Sequence, residues 1–516
     1  LSPPPLACPV TRREALRMGA AGAAVLGLGG CFGGDEDDPG PARSQSPARR
    51  AGRLNVVVIV IDNVRADHVG AYGSRDVRTP SLDALAGEGL RFTQARPEAY
   101  PTVPARRAIL TGRRSFPFDD WKAVPQLPEQ PGWSPIPRGR PTFLQTLGRA
   151  GYRTGYVTDN PWILSPPYRR FRRTVEAFRA VPGQVPAFPP PRGEVPEALL
   201  RRNVLPSQRG TAIEGRTEQY LAANLGRRGA DDYSTAKVFR GASRWLERAA
   251  GDGPFALVVD AFGPHEPFDP PPGYLALYGE LDDGRPEPIN PFAPPIGDVE
   301  TLGLSASQME RVRQLYAGEV TFADAWLGRF LDDLDRVGRA RDTLVVLLSD
   351  HGVLLGEHGF VGKAGSQAYT EVLDVPYLIR TPLGRGGSST SDFFASTHDV
   401  APTVLGGLEV EPDEQLDGAD LGPLLAGRSL SGRRLAQRAV FTGSYDDQVV
   451  AGDGRWLLIS DNQGRQRRLY DRRSDPRERD DLSSDNGEVA DRLWDAVEDA
   501  AGGELPKFGD KGVIGQ

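Results

Sequence analysis

Arg53-Leu-Asn-Val-Val-Val-Ile-Val-Ile-Asp-Asn63 is an unbroken β-branched run closed by a carboxylate and a carboxamide. Nothing polar interrupts Val56 to Ile61, so the run reads as a strand covered on both faces, as in a parallel sheet. Open α/β sheets place their sites at the carboxyl ends of strands. Asp62 and Asn63 stand at such an end, and their oxygens are hard ligands for a divalent cation. Two further runs repeat the pattern. Phe255-Ala-Leu-Val-Val259 leads into Asp260 and a rigid proline cluster holding His265, and Thr343-Leu-Val-Val-Leu-Leu348 ends in Ser349-Asp-His-Gly352. Tyr152 to Thr158 reads as another strand, followed by Asp159-Asn-Pro-Trp162, and Val375 to Arg380 as a further one.

Helical patterns separate these strands. They cover Thr79 to Leu90, Thr142 to Ala150, Thr235 to Ala250 and Ser305 to Val337, the last long enough for two helices. Phe171 to Tyr220 is rich in Arg and Pro with no clear period, and reads as an insertion over the active face. From about Arg433 the pattern changes to short alternating strands at Ala439–Gly443, Arg455–Ser460 and Arg468–Arg472, with a closing helix at Val489–Ala500. The expected fold is therefore α/β. A large, mostly parallel sheet flanked by helices spans 53–432, and a small antiparallel sheet subdomain with a helix spans 433–516.

The N-terminal segment reads differently. Thr11-Arg-Arg-Glu-Ala-Leu-Arg17 is a twin-arginine region, and Val10 just before it reads as an alternative start. The small apolar run Gly19 to Gly30 follows and ends in Leu28-Gly-Gly-Cys31. Residues 1–31 are expected to be an export signal, with Cys31 the lipid anchor of a protein at the cell surface or in the periplasm. Ordinary cleavage without lipid is the alternative. Residues 32–52 read as a disordered, Pro-rich linker. Of 516 residues, the only two cysteines are Cys8 and Cys31, so thiolate chemistry is excluded from the body. The net charge of −7 gives no footprint for nucleic acid.

Chemistry concentrates in Ala99-Tyr-Pro-Thr-Val-Pro-Ala-Arg-Arg-Ala-Ile-Leu-Thr-Gly-Arg113. Pro104 suits a first helical turn, and Gly112 suits a stop. Thr102 is thus a hydroxyl at a helix N-terminus, with Arg106 and Arg107 one turn on. That combination suits attack on a tetrahedral oxyanion ester, phosphate or sulfate. The chain has five histidines, His68, His265, His351, His358 and His398, and the first four lie at or beyond strand ends. Asp62, Asp350, His351 and Thr102 together form a ligand set for one divalent ion. Mixed oxygen and imidazole ligation suits manganese or zinc, and tolerates calcium or magnesium where oxygens dominate.

With these residues in place, the chain resembles the sulfatase family of the alkaline phosphatase superfamily. The matching segments are Ile61–His68, Thr79–Asp83, Thr102–Arg106, Leu110–Arg113, Pro264-His-Glu-Pro267, Ser349–Gly352, Gly356-Glu-His-Gly359 with Lys363, Asp399–Thr403 and Leu469–Asp471. The resemblance implies Asp62, Asn63, Thr102, Asp350 and His351 as metal ligands. It implies Thr102 as nucleophile, and Arg106, His265 and Lys363 as groups on the transferred group or leaving oxygen. Asn160 and His358 are substrate-binding candidates, His358 with a structural role as the alternative.

The departures bear on function. The resemblance puts a Cys or Ser that becomes formylglycine at position 102, and threonine cannot give that aldehyde, so no formylglycine is expected. Threonine nucleophiles belong instead to the superfamily's phosphodiesterases, nucleotide pyrophosphatases and phosphoglycerol transferases. Asp159-Asn-Pro-Trp162 also replaces a Gly-Lys-Trp-His segment of the family. The resulting expectation is a metal-dependent hydrolase that cleaves phosphodiesters or phosphonate monoesters through phospho-threonine, with His265 as general acid. The substrate would be a small molecule, a lipid or another envelope ester. A sulfate-ester hydrolase without formylglycine and a non-catalytic metal-containing surface protein are the alternatives.

Overall fold

The computed structural model describes residues 53–183, 193–251, 253–279, 287–291, 298–363, 368–382, 387–430, 440–445 and 448–508. The expected export signal, Cys31 and the linker lie outside the described residues. Among them, no helix is long and apolar enough to cross a membrane.

Among the described residues, fourteen strands, β1 to β14 in chain order, form the sheets. β1 (Asn55–Ile61), β2 (Leu90–Ala95), β3 (Arg153–Thr158), β4 (Ala177–Ala180), β5 (Phe255–Ala261), β6 (Thr343–Leu348), β9 (Tyr377–Arg380) and β10 (Ser389–Ala395) build the large sheet, in the order β10-β2-β9-β6-β1-β5-β3-β4. Only β9 runs against its neighbours. β1 is central and wholly buried because every side chain from Val56 to Ile61 has an apolar layer to enter. Val56, Val58 and Val60 face one core with Val103, Ile109, Leu144 and Val404. Val57, Ile59 and Ile61 face the other with Phe239, Trp245, Phe322 and Phe330. Helices therefore cover both faces, as an unalternating strand requires.

Several expectations are corrected. The helix expected to reach Leu90 is Pro80–Gly87, and Leu90 opens β2 instead. The region Ser305 to Val337 is one 31-residue helix, Ala306–Arg336, opened by a Ser305/Gln308 capping box. Phe171 to Tyr220 is not all insertion: Ala177–Ala180 adds an edge strand parallel to β3, and two helices follow, Glu197–Asn203 and Ala212–Asn224.

β7 (Leu354–Leu355) and β8 (Val361–Gly362) form a small hairpin beyond β6. β11 (Phe441–Tyr445), β12 (Gln448–Gly452), β13 (Trp456–Asp461) and β14 (Arg468–Asp471) form the antiparallel sheet, closed by the helix Gly487–Ala501. This sheet grips the large domain beside Thr102. Ser444 N donates to the Glu98 carbonyl at 3.1 Å, and Tyr100 N donates to the Ser444 carbonyl at 3.1 Å.

Asp324, in the middle of the long helix, accepts Ser81 N at 3.0 Å and Leu82 N at 2.7 Å. One helix thus caps the N-terminus of another. We expect Asp324→Ala to lose about 1–3 kcal/mol in urea unfolding. Asp324→Asn, which keeps an acceptor, should lose less.

Candidate active site

Register explains how the site forms. Val60 pairs with Leu348 and with Asp260, so Asp62 and Asp350 emerge side by side, two residues past one rung of the sheet. Both are fully buried. The chain turns at Asn63, whose φ of 66° is left-handed, a conformation asparagine tolerates better than most residues. This turn aims Asn63 N at Asp350 Oδ1, 3.0 Å away, and Asn63 Nδ2 at the Pro264 carbonyl, 3.3 Å away. His351 follows, with Nδ1 2.9 Å from the Gly352 carbonyl. A carbonyl only accepts, so Nδ1 carries the proton and the Nε2 lone pair faces the carboxylates. Gly352 is needed there, because a Cβ would lie 2.1 Å from the Glu371 carbonyl oxygen.

The expected helix is present as Thr102–Thr111, with Gly112 left-handed at its end. Thr102 and Arg106 share one face, four residues apart, and helical side chains lean back toward the N-terminus. The buried Arg106 guanidinium reaches three aspartates. Nη1 bonds Asp350 and lies 3.0 Å from Asp62 Oδ2, while Nη2 lies 2.7 Å from Asp260 Oδ1. Arg107 does not join them. It turns the other way to Asp120 at 2.6 Å and Ser134 at 2.9 Å.

The electrostatics follow from burial. Burial and the neighbouring Asp350 push the Asp62 carboxyl well above the usual carboxylate range. At Asp350 burial acts upward too, but the Arg106 guanidinium, helped by the Asn63 N–H, outweighs it and holds that carboxyl low. Burial pulls the His351 imidazole down to about 3, so the ring is neutral.

Opposite stands a second group. Lys363 Nζ is 3.1 Å from His265 Nε2 and 3.1 Å from Glu266 Oε1, and His265 Nδ1 is 2.9 Å from the Glu266 carbonyl. The ring stacks on Phe262 at 4.1 Å. Burial pulls His265 down to about 4. Nδ1 donates to the Glu266 carbonyl and Nε2 accepts from the Lys363 ammonium.

Asn160 stands two residues past Thr158, which pairs with Asp260, at the same end of the sheet as Asp62 and Asp350. Asn160 is buried, and its Oδ1 caps the short helix Pro161–Leu164 through Trp162 N and Ile163 N. Its Nδ2 has no acceptor among the described residues. His358 stacks on Tyr369 at 3.6 Å and faces Glu371 at 3.5 Å, so it groups with Glu371 and Glu478 rather than with Asp62. His68 bonds Asp67 at 2.8 Å. Asp260 and Tyr156 were missed as site residues. The available signal was a carboxylate continuing a buried apolar run.

The centre fits a divalent cation. Ligand atoms of Asp62, Asp350 and His351 lie within 4.8 Å of one another. Both Asp62 oxygens, Asn63 Oδ1 and His351 Nε2 are sealed from solvent without a hydrogen bond. Three carboxylates around one guanidinium leave two negative charges uncompensated, which suits a divalent ion.

Comparison with known proteins agrees. The family model described as Sulfatase matches residues 54–410, and the chain belongs to the sulfatase family of the alkaline phosphatase superfamily. It is a sulfatase-family hydrolase. It is 29% identical over 413 residues to the multifunctional alkaline phosphatase superfamily protein PehA of Trinickia caryophylli, covering 72% of this chain and 77% of that one. It is 24% identical over 460 residues to an arylsulfatase of Clostridium perfringens, covering 82% and 89%. The phosphonate monoester hydrolase of Agrobacterium radiobacter shares the fold, with a TM-score of 0.62, 23% identity, and 86% and 94% coverage.

Ligand binding to the folded state alone stabilises it, by about 2.7 kcal/mol at a hundredfold excess over Kd. Manganese added to chelator-treated protein should therefore raise the melting temperature. Asp62→Asn and His351→Ala should each abolish that rise, which differential scanning calorimetry would read.

Proposed function

We propose that the chain is a metal-dependent phosphoester hydrolase that works through Thr102 and a phospho-threonine intermediate, on phosphodiesters or phosphonate monoesters. The carrying observation is Thr102 itself, at the start of the helix whose next turn places Arg106 in the aspartate cluster. The threonine hydroxyl is a secondary alcohol, which oxidises to a ketone and not to an aldehyde, and no cysteine follows residue 31. The names of PehA and of the phosphonate monoester hydrolase support a phosphorus ester.

Asp62, Asp350 and His351, with Asn63 and Thr102, would hold the cation. A divalent ion there supplies a Lewis acid that makes a bound hydroxyl more acidic and draws charge from a phosphoryl oxygen. Thr102 Oγ gives its proton to water and attacks phosphorus in line with the leaving oxygen, whose bond to phosphorus breaks as the Oγ–P bond forms. Arg106 balances charge on the equatorial oxygens. Lys363, steered by His265 and Glu266, gives its proton to the leaving alkoxide. Water then attacks phosphorus and breaks its bond to Oγ, releasing a phosphomonoester or a phosphonate and returning the Thr102 hydroxyl. Export and a lipid anchor at Cys31 are part of the same proposal, and would present the site to envelope esters.

A second reading, sulfate-ester hydrolysis by unmodified threonine, is favoured by the arylsulfatase relative. Aryl phosphodiester, phosphonate monoester and sulfate ester assayed side by side separate the two. We expect phosphorus esters to be preferred. Thr102→Ala should lower kcat by about 10³-fold or more, with Thr102→Ser retaining part of it. Dominant sulfate turnover would overturn the proposal.

A further inference from the structure

The three carboxylates around Arg106 are not equivalent. Asp62 and Asp350 stand past the ends of β1 and β6, share Nη1, and converge with His351 as ligands. Asp260 stands within β5, level with Val60 and Thr158, and is not one of the converging ligands. It takes Nη2 at 2.7 Å through Oδ1, and its Oδ2 receives the Tyr156 hydroxyl at 2.7 Å. The Tyr156 ring is itself fixed, stacked on Phe178 at 5.5 Å and edge-on to Phe171 at 5.4 Å. Both oxygens of Asp260 are therefore held by donors on rigid elements.

This asymmetry matters because a guanidinium competes with a cation. Arg106 Nη1 rests on Asp62 and Asp350, the carboxylates the ion must take. A buried arginine with no other anion could not release them without leaving its own charge unpaired, which is costly. Asp260 supplies that other anion on the opposite amino group.

We propose that Asp260, locked by Tyr156, is a positioning residue that tethers Arg106 by Nη2, so that a divalent ion can take Asp62 and Asp350 while the guanidinium keeps its place. The tether also keeps Arg106 beside Thr102, where the transferred group would sit. This inference rests on the proposed metal centre but not on the identity of the ester.

The test is a double-mutant cycle read by manganese binding, using isothermal titration calorimetry on the full chain. Pure through-space loss of a charge acts pairwise and multiplies the dissociation constant by the same factor in any background, whereas tethering couples the two residues. We expect Asp260→Asn to weaken manganese binding about 30-fold or more with Arg106 present, and about 3-fold or less in an Arg106→Ala background. Calorimetric melting of each variant checks folding, and Arg106→Gln replaces Arg106→Ala if the latter does not fold. Equal factors in both backgrounds would overturn the tether. A parent protein that binds no manganese would overturn it together with the metal centre. Failure of the phosphoester reading alone would show in the Thr102 variants and leave manganese binding intact.

Discussion

The arrangement depends on one buried cation held among buried anions. Three aspartates from β5 and from the ends of β1 and β6 converge on Arg106, each withdrawn from water. Isolated charges at such depth are prohibitive, and the guanidinium makes their proximity tolerable because its planar fork serves several acceptors at once. The helix Thr102–Thr111 is thereby pinned against the sheet by its second turn. The same ion cluster that stabilises the packing fixes where the hydroxyl stands. Burial, with the neighbouring Asp350 carboxylate, raises the affinity of Asp62 for a proton.

Around that cluster the polar groups divide by side. Asp62, Asn63, Asp350 and His351 present lone pairs, and Lys363 presents protons. The imidazoles are neutral on both sides, but their tautomers are fixed by backbone carbonyls at Gly352 and Glu266. One ring turns its free lone pair toward the carboxylates of Asp62 and Asp350, and the other accepts from an ammonium. Identical side chains thus take different parts according to what their neighbours already donate.

Much of this was legible in the sequence. The runs Val56–Ile61 and Thr343–Leu348 could only be doubly covered strands, and the aspartates that close them could only sit at a sheet edge. Thr102 with Pro104 and Gly112 marked a helix start and stop that the structure reproduces. Other parts were hidden for physical reasons. Ala177–Ala180 is an edge strand with half-exposed and exposed side chains, so it lacks the apolar signature. β10 is largely exposed along Ser389–Phe393, and it too left no pattern. Arg106 and Arg107 look alike in the chain, yet adjacent helical positions diverge by about 100°, and only one enters the site. His265 reads as an acid from its motif, whereas the direction of its hydrogen bonds depends on Lys363, distant in sequence.

The join between the two sheets has its own consequence. Ser444 in β11 exchanges backbone hydrogen bonds with Glu98 and Tyr100, just ahead of Thr102. Arg114, just beyond that helix, reaches Thr442 in the same strand at 2.8 Å. The small sheet is therefore a splint, set on both flanks of the segment that carries Thr102. Its removal would not shorten the protein to a simpler working core. It would loosen the hydroxyl, because the segment around Thr102 draws its stiffness from strands more than 300 residues further along the chain and is held only when those strands have docked.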